Sequence, residues 1–320
     1  MKRKFLYTKV FVSLFLLWEI GICSAYPESI RIAVLKSRDL EPYNTAMTSF
    51  EKTIKDKGYD VQFLYYDLEG RLEDGERVSR NIRENNPELI LSLGTEATKV
   101  LKENIKDIPV VFSVVLDPVG NGFVEKLERS GTNLAGVALD VPVKIQFETL
   151  VSVLSDTQKI GVVYDPQKTG KVVEEADLVA RRMGLELIRV PVSSRNDVPQ
   201  AIESLRGRID ALWAPLDNTV YTPQSTQFIL LFTLRNKIPF MAFSDKFVKA
   251  GAIMGMRSDY RNQGEEAAHL VIKILNGEAP SHMSVVFSEE LFVFLNQRVA
   301  DMVGVEFSSD TVKGARKIFQ

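Results

Sequence analysis

Cysteine and histidine are scarce in this sequence. Its 320 residues include one cysteine, Cys23, and two histidines, His269 and His282. Because Cys23 lies within an N-terminal segment that resembles an export signal, the rest of the chain offers no thiol for a disulfide, a thiolate metal site or a cysteine nucleophile. Without disulfides the protein depends on its hydrophobic core, which a large α/β domain can supply.

Catalytic motifs are missing as well. The sequence contains no G-x-S-x-G elbow, no His-Glu-x-x-His zinc motif and no Walker loop, although "KTGK" occurs at 168–171. His269 lies in a helix-like stretch and His282 follows a Pro-Ser pair. No pair of carboxylates is singled out for glycoside hydrolysis. We therefore predict a protein that is not an enzyme and that uses no cofactor or metal.

Charge of either sign is not concentrated anywhere in the chain. The formal net charge is −2, with 40 basic and 42 acidic residues. A nucleic-acid-binding domain normally carries a basic patch, and the sequence has no long basic run. We therefore expect no nucleic-acid partner.

No apolar run is long enough to span a bilayer comfortably. The N-terminal stretch "MKRKFLYTKVFVSLFLLWEIGICSA" has basic residues, then an apolar run at 10–18 that Glu19 interrupts, then small residues. This order is typical of a secretory signal peptide, so we predict cleavage after Ala25. An uncleaved N-terminal anchor is the main alternative. A lipid anchor on Cys23 is disfavoured by the bulky Ile22 before it.

Short β-branched runs alternate with helical stretches after this signal. The runs "IRIAVL", "VQFLYY", "LILSL" and "PVVFSVV" form a first set of four predicted strands, separated by amphipathic segments. Buried parallel strands read as continuous apolar runs because helices cover both faces of the sheet. The rhythm therefore predicts an α/β fold with a doubly wound parallel sheet.

The same rhythm begins again after "GTNLAGVALDVP". The runs "KIGVVY", "LELIRV", "DALWAP" and "IPFMAF" form a second set of four. We predict two doubly wound parallel-sheet lobes joined by a hinge that the chain crosses more than once. The expected boundaries are 1–25 for the signal, 26–140 for lobe 1, completed by about 247–280, and 141–246 for lobe 2, completed by about 281–320.

Polar or small residues follow nearly every predicted strand. Ligands of open parallel sheets bind outside the carboxyl ends of the strands, so these residues are candidate ligand contacts. Turns and helix caps favour the same residue types, so for any one of these residues alone a turn or cap is the favoured interpretation. The clearest example is Asp217 with Asn218, which directly follow "DALWAP". Taken together, the residues describe two polar edges that face each other across a cleft.

The chain resembles the periplasmic substrate-binding proteins of ABC transporters with the type I two-lobed fold. Within them it is similar to the family whose better-understood members bind tryptophan and other aromatic amino acids. The residues that carry the resemblance are "SLGTEATKVL" at 92–101, "VVFSVVLDPVGNGFV" at 110–124, "GTNLAGVAL" at 131–139, "KIGVVYDP" at 159–166, "DALWAPLDNTV" at 210–220, "KIPFMAF" at 237–243 and "GAIMGMRSDYRNQGEEAAHLVIKILNGEAP" at 251–280.

The resemblance implies a ligand site between the lobes. Thr95, in the "GT" that opens a helix, would receive a ligand carboxylate, and Asp217 with Asn218 would form the opposite wall and pair with a ligand ammonium. Glu96, which follows the threonine, departs from the family pattern and could repel an anion or satisfy the helix end itself. The full set of predicted contacts is Ser37, Gly94, Thr95, Ser113, Asp117, Tyr164, Asp217, Asn218 and Ser244.

The resemblance also implies the partners and the location. We expect a periplasmic or extracytoplasmic protein that captures a small molecule, for example an amino acid or another small aromatic solute, and delivers it to the permease and ATPase subunits of an ABC importer. Its association with that membrane complex would be peripheral. The alternative is a ligand-sensing subunit of a membrane receptor, since closure on a ligand can also be transmitted to a signalling partner.

Overall fold

The computed structural model describes residues 29–320. The predicted signal at 1–25 lies outside the described residues. The strands are β1 (Ile30–Lys36), β2 (Val61–Asp67), β3 (Leu89–Leu93), β4 (Val110–Val115), β5 (Leu134–Ala138), β6 (Lys159–Tyr164), β7 (Glu186–Pro191), β8 (Ala211–Trp213), β9 (Phe240–Ala242), β10 (Met254–Ser258), β11 (Val286–Phe287), β12 (Leu291–Asn296) and β13 (Lys317–Phe319).

Helices connect most of these strands. They are α1 (Glu41–Asp56), α2 (Gly75–Glu84), α3 (Thr95–Asn104), α4 (Val143–Val153), α5 (Pro166–Arg182), α6 (Val198–Glu203), α7 (Pro223–Arg235), α8 (Asp245–Ala250), α9 (Tyr260–Leu275), α10 (Gln297–Val303) and α11 (Ser309–Gly314). Short 3-10 helices occur at Leu72–Asp74 and Pro280–His282. Within residues 29–320, no helix combines the length and the hydropathy that a membrane span requires.

The strands form two separate sheets. The first has the order β11-β5-β4-β3-β1-β2 and is parallel throughout. The second has the order β13-β12-β10-β9-β8-β6-β7, in which only the β10–β12 pair is antiparallel. All eight predicted strands are present, and the predicted two-lobed α/β fold is confirmed. The first and second lobes are these two sheets with their covering helices.

Both faces of each sheet are buried, which explains the apolar runs in the sequence. Along β1, Ile32 and Val34 pack in one core cluster with α1 and α9, whereas Ala33 and Leu35 pack in another with α2 and α3. The second sheet is covered in the same way, by α4 and α5 on one face and by α6, α7 and α8 on the other. Each lobe therefore has its own hydrophobic core.

Within residues 29–320 the chain crosses between the sheets three times, and the sheet pairing corrects the expected boundaries. The crossings lie between β5 and α4, between β10 and α9, and between β11 and β12. The segment from about 247 was expected in lobe 1, but β10 pairs with β9 and so extends the second sheet. The segment from about 281 was expected in lobe 2, but β11 pairs with β5 in the first sheet. Neither strand was among the eight predicted ones, and an apolar run does not show which neighbour a strand joins.

Helix α9 returns the chain to the first lobe and packs closely on α1. Gly264 lies at the point of closest approach, where an added Cβ would clash with the backbone carbonyl of Ala46. Ala46 itself is fully buried, so neither helix can move aside without disturbing the core. The glycine therefore fixes the distance between the two helices.

We expect Gly264→Ala to destabilise the protein by about 1–3 kcal/mol, the usual cost of overpacking a core. Urea unfolding would measure the change. Gly170→Ala is the matched control, because Gly170 is also helical but its nearest neighbour, Pro166, lies 3.9 Å from the added Cβ. The control should be neutral or slightly stabilising. Equal unfolding midpoints for Gly264→Ala and the wild type would contradict this account of the helix contact.

Candidate functional site

The carboxyl edges of the two sheets, where the strands end, meet at the crossings. The chain leaves the first sheet at the carboxyl ends of β5 and β11, and it leaves the second sheet at the carboxyl end of β10. Ser258, at the end of β10, donates its hydroxyl to the Leu139 carbonyl over 3.1 Å, and Asp259 N–H donates to the Glu290 carbonyl over 2.9 Å. These bonds hold the two edges side by side.

Away from the crossings, no hydrogen bond spans the cleft between the lobes in the described part of the chain. Within residues 29–320, the hydrogen bonds that join the two lobes all lie at the crossing segments. The side chains of the opposing carboxyl edges do not bond each other across the gap. A ligand could therefore enter and contact both edges before the lobes close.

Ser37, Gly94 and Thr95 come together at the carboxyl edge of the first sheet. The buried Ser37 hydroxyl donates to the Leu93 carbonyl over 3.1 Å and accepts from the Ala97 N–H over 2.9 Å. Gly94 precedes helix α3 with φ of 95°. A Cβ at Gly94 would lie 2.6 Å from the Ser37 Oγ and 2.6 Å from the Tyr43 hydroxyl, so only glycine fits. Ser37 and Gly94 thus position the start of α3.

Thr95 and Glu96 present the free end of helix α3. The first backbone N–H groups of a helix have no intrahelical partner. Ser37 takes one of them, from Ala97, and Thr98 N–H bonds the Gly94 carbonyl over 3.1 Å. The N–H groups of Thr95 and Glu96 find no acceptor among residues 29–320. Together with the Thr95 hydroxyl they form a site suited to a carboxylate.

The Glu96 side chain does not occupy this helix end. Its carboxylate forms a bidentate ion pair with Arg38, with oxygens 2.6 and 2.7 Å from one guanidinium nitrogen. This pairing raises the pKa of Arg38, chiefly through the hydrogen bond from Arg38 to Glu96. The sequence left two roles open for Glu96, repulsion of an anion or capping of the helix. The structure instead shows its charge balanced by a neighbour on the same edge.

Ser113 and Asp117 support the protein's own backbone. The buried Ser113 hydroxyl donates to the Gln263 carbonyl over 3.0 Å and so attaches α9 to the end of β4. Asp117, with φ of 43°, accepts the Gly120 N–H over 2.8 Å in an exposed turn. The sequence pattern predicted both side chains as ligand contacts and did not predict these bonds to the backbone.

Asp140 links that turn to the first crossing. Its carboxylate accepts the Asp117 N–H over 2.7 Å. The pKa of Asp140 is raised to about 6, chiefly by burial; the hydrogen bond from Asp117 N–H acts to lower it, and the nearby carboxylates of Asp117 and Glu175 act to raise it. Because Glu175 belongs to α5 in the second lobe, the Asp140 carboxyl lies beside the hinge, where the two lobes are close to each other.

Asp217 is a structural carboxylate at the carboxyl edge of the second sheet. One oxygen accepts the Asp165 N–H over 2.8 Å and the Thr169 hydroxyl over 2.7 Å. The other accepts the Thr219 N–H over 2.9 Å and the Val220 N–H over 3.2 Å. A carboxylate offers about four acceptor positions, and all of them are used within the protein. The geometry therefore favours the turn interpretation of Asp217 over direct pairing with a ligand ammonium.

A second buried carboxylate lies beside it. Asp165 caps α5 by accepting the Gln167 N–H over 2.9 Å, and its other oxygen accepts the Thr219 hydroxyl over 2.8 Å. Asp165 is 7% exposed and Asp217 is 1% exposed. Within residues 29–320, neither forms a salt bridge with a basic side chain. This part of the carboxyl edge of the second lobe therefore carries two negative charges that no basic side chain pairs with.

The remaining predicted contacts lie along this second edge. Asn218 is exposed and lines a cavity of about 410 Å³ with Ser194, Arg195, Thr219 and Thr222. Tyr164 packs partly buried against the core cluster of α4 and α5. Ser244 is half-buried before α8, and its hydroxyl makes no capping bond. Asn218 and Ser244 thus keep polar groups free at the edge.

Two further cleft residues were not predicted from the sequence. Tyr260 begins α9 directly after the second crossing, and the Arg257 guanidinium lies 4.4 Å from its ring centroid. Burial raises the pKa of Tyr260, and Arg257 lowers it, whereas Glu41 of the first lobe and Asp245 of the second raise it. The only available signal was their position, since both flank Ser258 and Asp259 within the segment at 251–280 that carries the family resemblance.

We expect Asp217→Asn to reduce the stability of the protein by about 1–3 kcal/mol, because the amide group replaces an acceptor with a donor and leaves buried N–H or O–H groups unpaired. Thermal or urea unfolding would show the loss. The exposed neighbour provides the control, since Asn218→Ala should leave the midpoint unchanged. If Asp217→Asn and the wild type have the same unfolding midpoint, the Asp217 carboxylate does not make the four hydrogen bonds described.

Comparison with known proteins agrees with this architecture. The tyrosine-binding protein of Clostridioides difficile is 26% identical over 275 residues, which cover 84% of this chain and 79% of that protein. The ligand-free, open structure of a substrate-binding protein with adhesive properties from Clostridium difficile matches with a TM-score of 0.79 and 26% identity, covering 91% of this chain and 99% of that one.

A more distant solved structure shares the fold. It is the ABC domain of Streptococcus pneumonia in complex with L-Trp, with a TM-score of 0.66 and 22% identity, covering 91% of this chain and 100% of that chain. The sequence profile described as "ABC transporter substrate binding protein" matches residues 31–319, nearly all of the described part. The chain therefore belongs to the ABC transporter substrate-binding protein family.

Proposed function

We propose that this protein is the extracytoplasmic solute-binding component of an ABC importer and that it captures a zwitterionic amino acid between its lobes. The observation that carries the proposal is the free start of α3 at the carboxyl edge of the first sheet, opposite an electronegative edge on the second. A carboxylate is stabilised at the first and an ammonium near the second. The ligand binds without chemical conversion.

The first lobe would hold the ligand carboxylate. Thr95 offers its hydroxyl and its N–H, and Glu96 offers a second N–H. Ser37 and Gly94 fix these donors in place before ligand arrives, so little ordering is needed on binding. Arg38 removes the repulsion that Glu96 would otherwise exert on an anion.

The second lobe would act on the ammonium mainly through charge. Asp165 and Asp217 keep all their internal bonds while their negative charges face the same edge. Charge interactions act over several ångströms and strengthen when closure removes water. Asn218 and Ser244 supply free polar groups for direct contacts at this edge.

The tyrosine-binding relative supports an amino acid as the ligand, since it covers most of this chain at 26% identity. The family description supports transport, with a permease and an ATPase as partners, and not the sensing role that the sequence left open. A ligand that contacts both lobes stabilises the closed form of its carrier. A permease can recognise this closed form and so distinguish the loaded carrier from the empty one.

We expect Thr95→Val to weaken binding of L-tyrosine, L-tryptophan or L-phenylalanine roughly tenfold or more. A hydrogen bond to a charged group contributes about 1.5–3 kcal/mol, and each 1.4 kcal/mol is about a factor of ten in Kd. Isothermal titration calorimetry with each amino acid would measure the change.

The matched control is Thr149→Val, because Thr149 is also a half-buried helical threonine, but its hydroxyl bonds the Ile145 carbonyl of its own helix over 2.8 Å. Its affinities should equal those of the wild type. Unchanged affinity in Thr95→Val would remove α3 as the carboxylate site. Failure of all three amino acids to bind the wild type would reject this ligand class.

A further inference from the structure

Arg257 holds a fixed guanidinium beside the second crossing between the lobes. It lies near the carboxyl end of β10, one residue before Ser258 of the second crossing. Its guanidinium carbon is 4.4 Å from the ring centroid of Tyr260, 5.2 Å from Phe292 and 5.5 Å from Phe294. Three aromatic rings therefore restrain the group and provide cation–π attraction.

This guanidinium has no carboxylate partner. Within residues 29–320, no acidic side chain lies within 4.0 Å of it, and the bond it makes is from Nη1 to the Ser258 carbonyl over 3.0 Å. Arginine has five N–H donors, so most of them remain available. Arg38 and Arg261, at the same edges, are by contrast paired with Glu96 and Asp259.

Arg257 stacks on a tyrosine that has carboxylates of both lobes near it. Its stacking partner Tyr260 lies within the electrostatic reach of Glu41 from the first lobe and Asp245 from the second. Closure would bring these walls together around the guanidinium and remove its water. A charged donor that loses water without gaining an acceptor costs free energy, and the rings supply no acceptor.

We propose that Arg257 binds a second anionic group on the ligand, so that the preferred ligand is an amino acid whose side chain carries a carboxylate. This inference rests on the proposed function, in which the α-carboxylate of the ligand already occupies the start of α3. The acceptor for Arg257 must then come from the side chain of the ligand. Arg257 is on this account the residue that determines specificity.

The test compares three probes by calorimetry, namely L-phenylalanine, L-tyrosine and 4-carboxy-L-phenylalanine. The wild type should bind 4-carboxy-L-phenylalanine about tenfold to a hundredfold more tightly than L-phenylalanine, the range expected for a hydrogen-bonded charge. Arg257→Met should abolish this preference, and its affinity for L-phenylalanine should equal or exceed that of the wild type, because closure then desolvates no guanidinium that lacks an acceptor. Arg257→Gln keeps a polar side chain but removes the positive charge, so it should also lose the preference. It replaces Arg257→Met in this test if the methionine variant does not fold.

Arg316→Met is the matched control. Arg316 also stacks on Phe292, at 4.6 Å, but it is exposed and directly precedes β13, the edge strand of the second sheet. This variant should keep the full preference for 4-carboxy-L-phenylalanine. Loss of the preference in Arg316→Met would show that general positive charge, and not Arg257, is responsible.

Two other results would overturn the inference. If the wild type binds L-phenylalanine or L-tyrosine more tightly than 4-carboxy-L-phenylalanine, the proposed function stands and the role of Arg257 is rejected. An equal loss of affinity for all three probes in Arg257→Met would show that Arg257 binds the α-carboxylate or pairs with the opposite lobe. If no probe binds the wild type, both the proposed function and the inference fail.

Discussion

The structure depends on the side chain of Gln263, which joins three elements beside the hinge. Its amide oxygen accepts the Val114 N–H over 3.1 Å, its amide nitrogen donates to the Ala138 carbonyl over 2.7 Å, and its backbone carbonyl accepts the Ser113 hydroxyl. Gln263 is fully buried, so each of these bonds is costly to break. They fix α9 to the ends of β4 and β5, and α9 is the element by which the chain returns from the second lobe.

Local strain at the same place supports this view. Val114 has φ of 57°, which is rare for a β-branched residue, and the register of β4 with β5 shifts between Phe112 and Val115. The bond to Gln263 holds this conformation. The chain then runs from the end of β4 to Asp117, whose N–H donates to the carboxylate of Asp140 in the first crossing. The end of β4 is therefore tied both to α9 and to the hinge.

Most of the fold was predictable from the sequence because it follows from local patterns. Apolar runs identified all eight predicted strands, and the glycine and threonine at 94–95 marked the start of α3. Membership of β10 and β11 in their sheets was not predictable, since an apolar run does not specify its neighbour. The candidate site was even less predictable from the sequence. Asp217 is satisfied by Thr169 and Asp165, which are 48 and 52 residues away in the chain, and that pairing exists only in the folded protein.

The central claim is that one ligand contacts both carboxyl edges and thereby closes the cleft. A ligand shifts an equilibrium only by its differential affinity for the two states, so a ligand bound to both lobes must favour the closed form. Small-angle X-ray scattering of the protein, alone and saturated with the tightest-binding amino acid, measures this directly. The account predicts a smaller radius of gyration with ligand. An unchanged radius at saturation would contradict it.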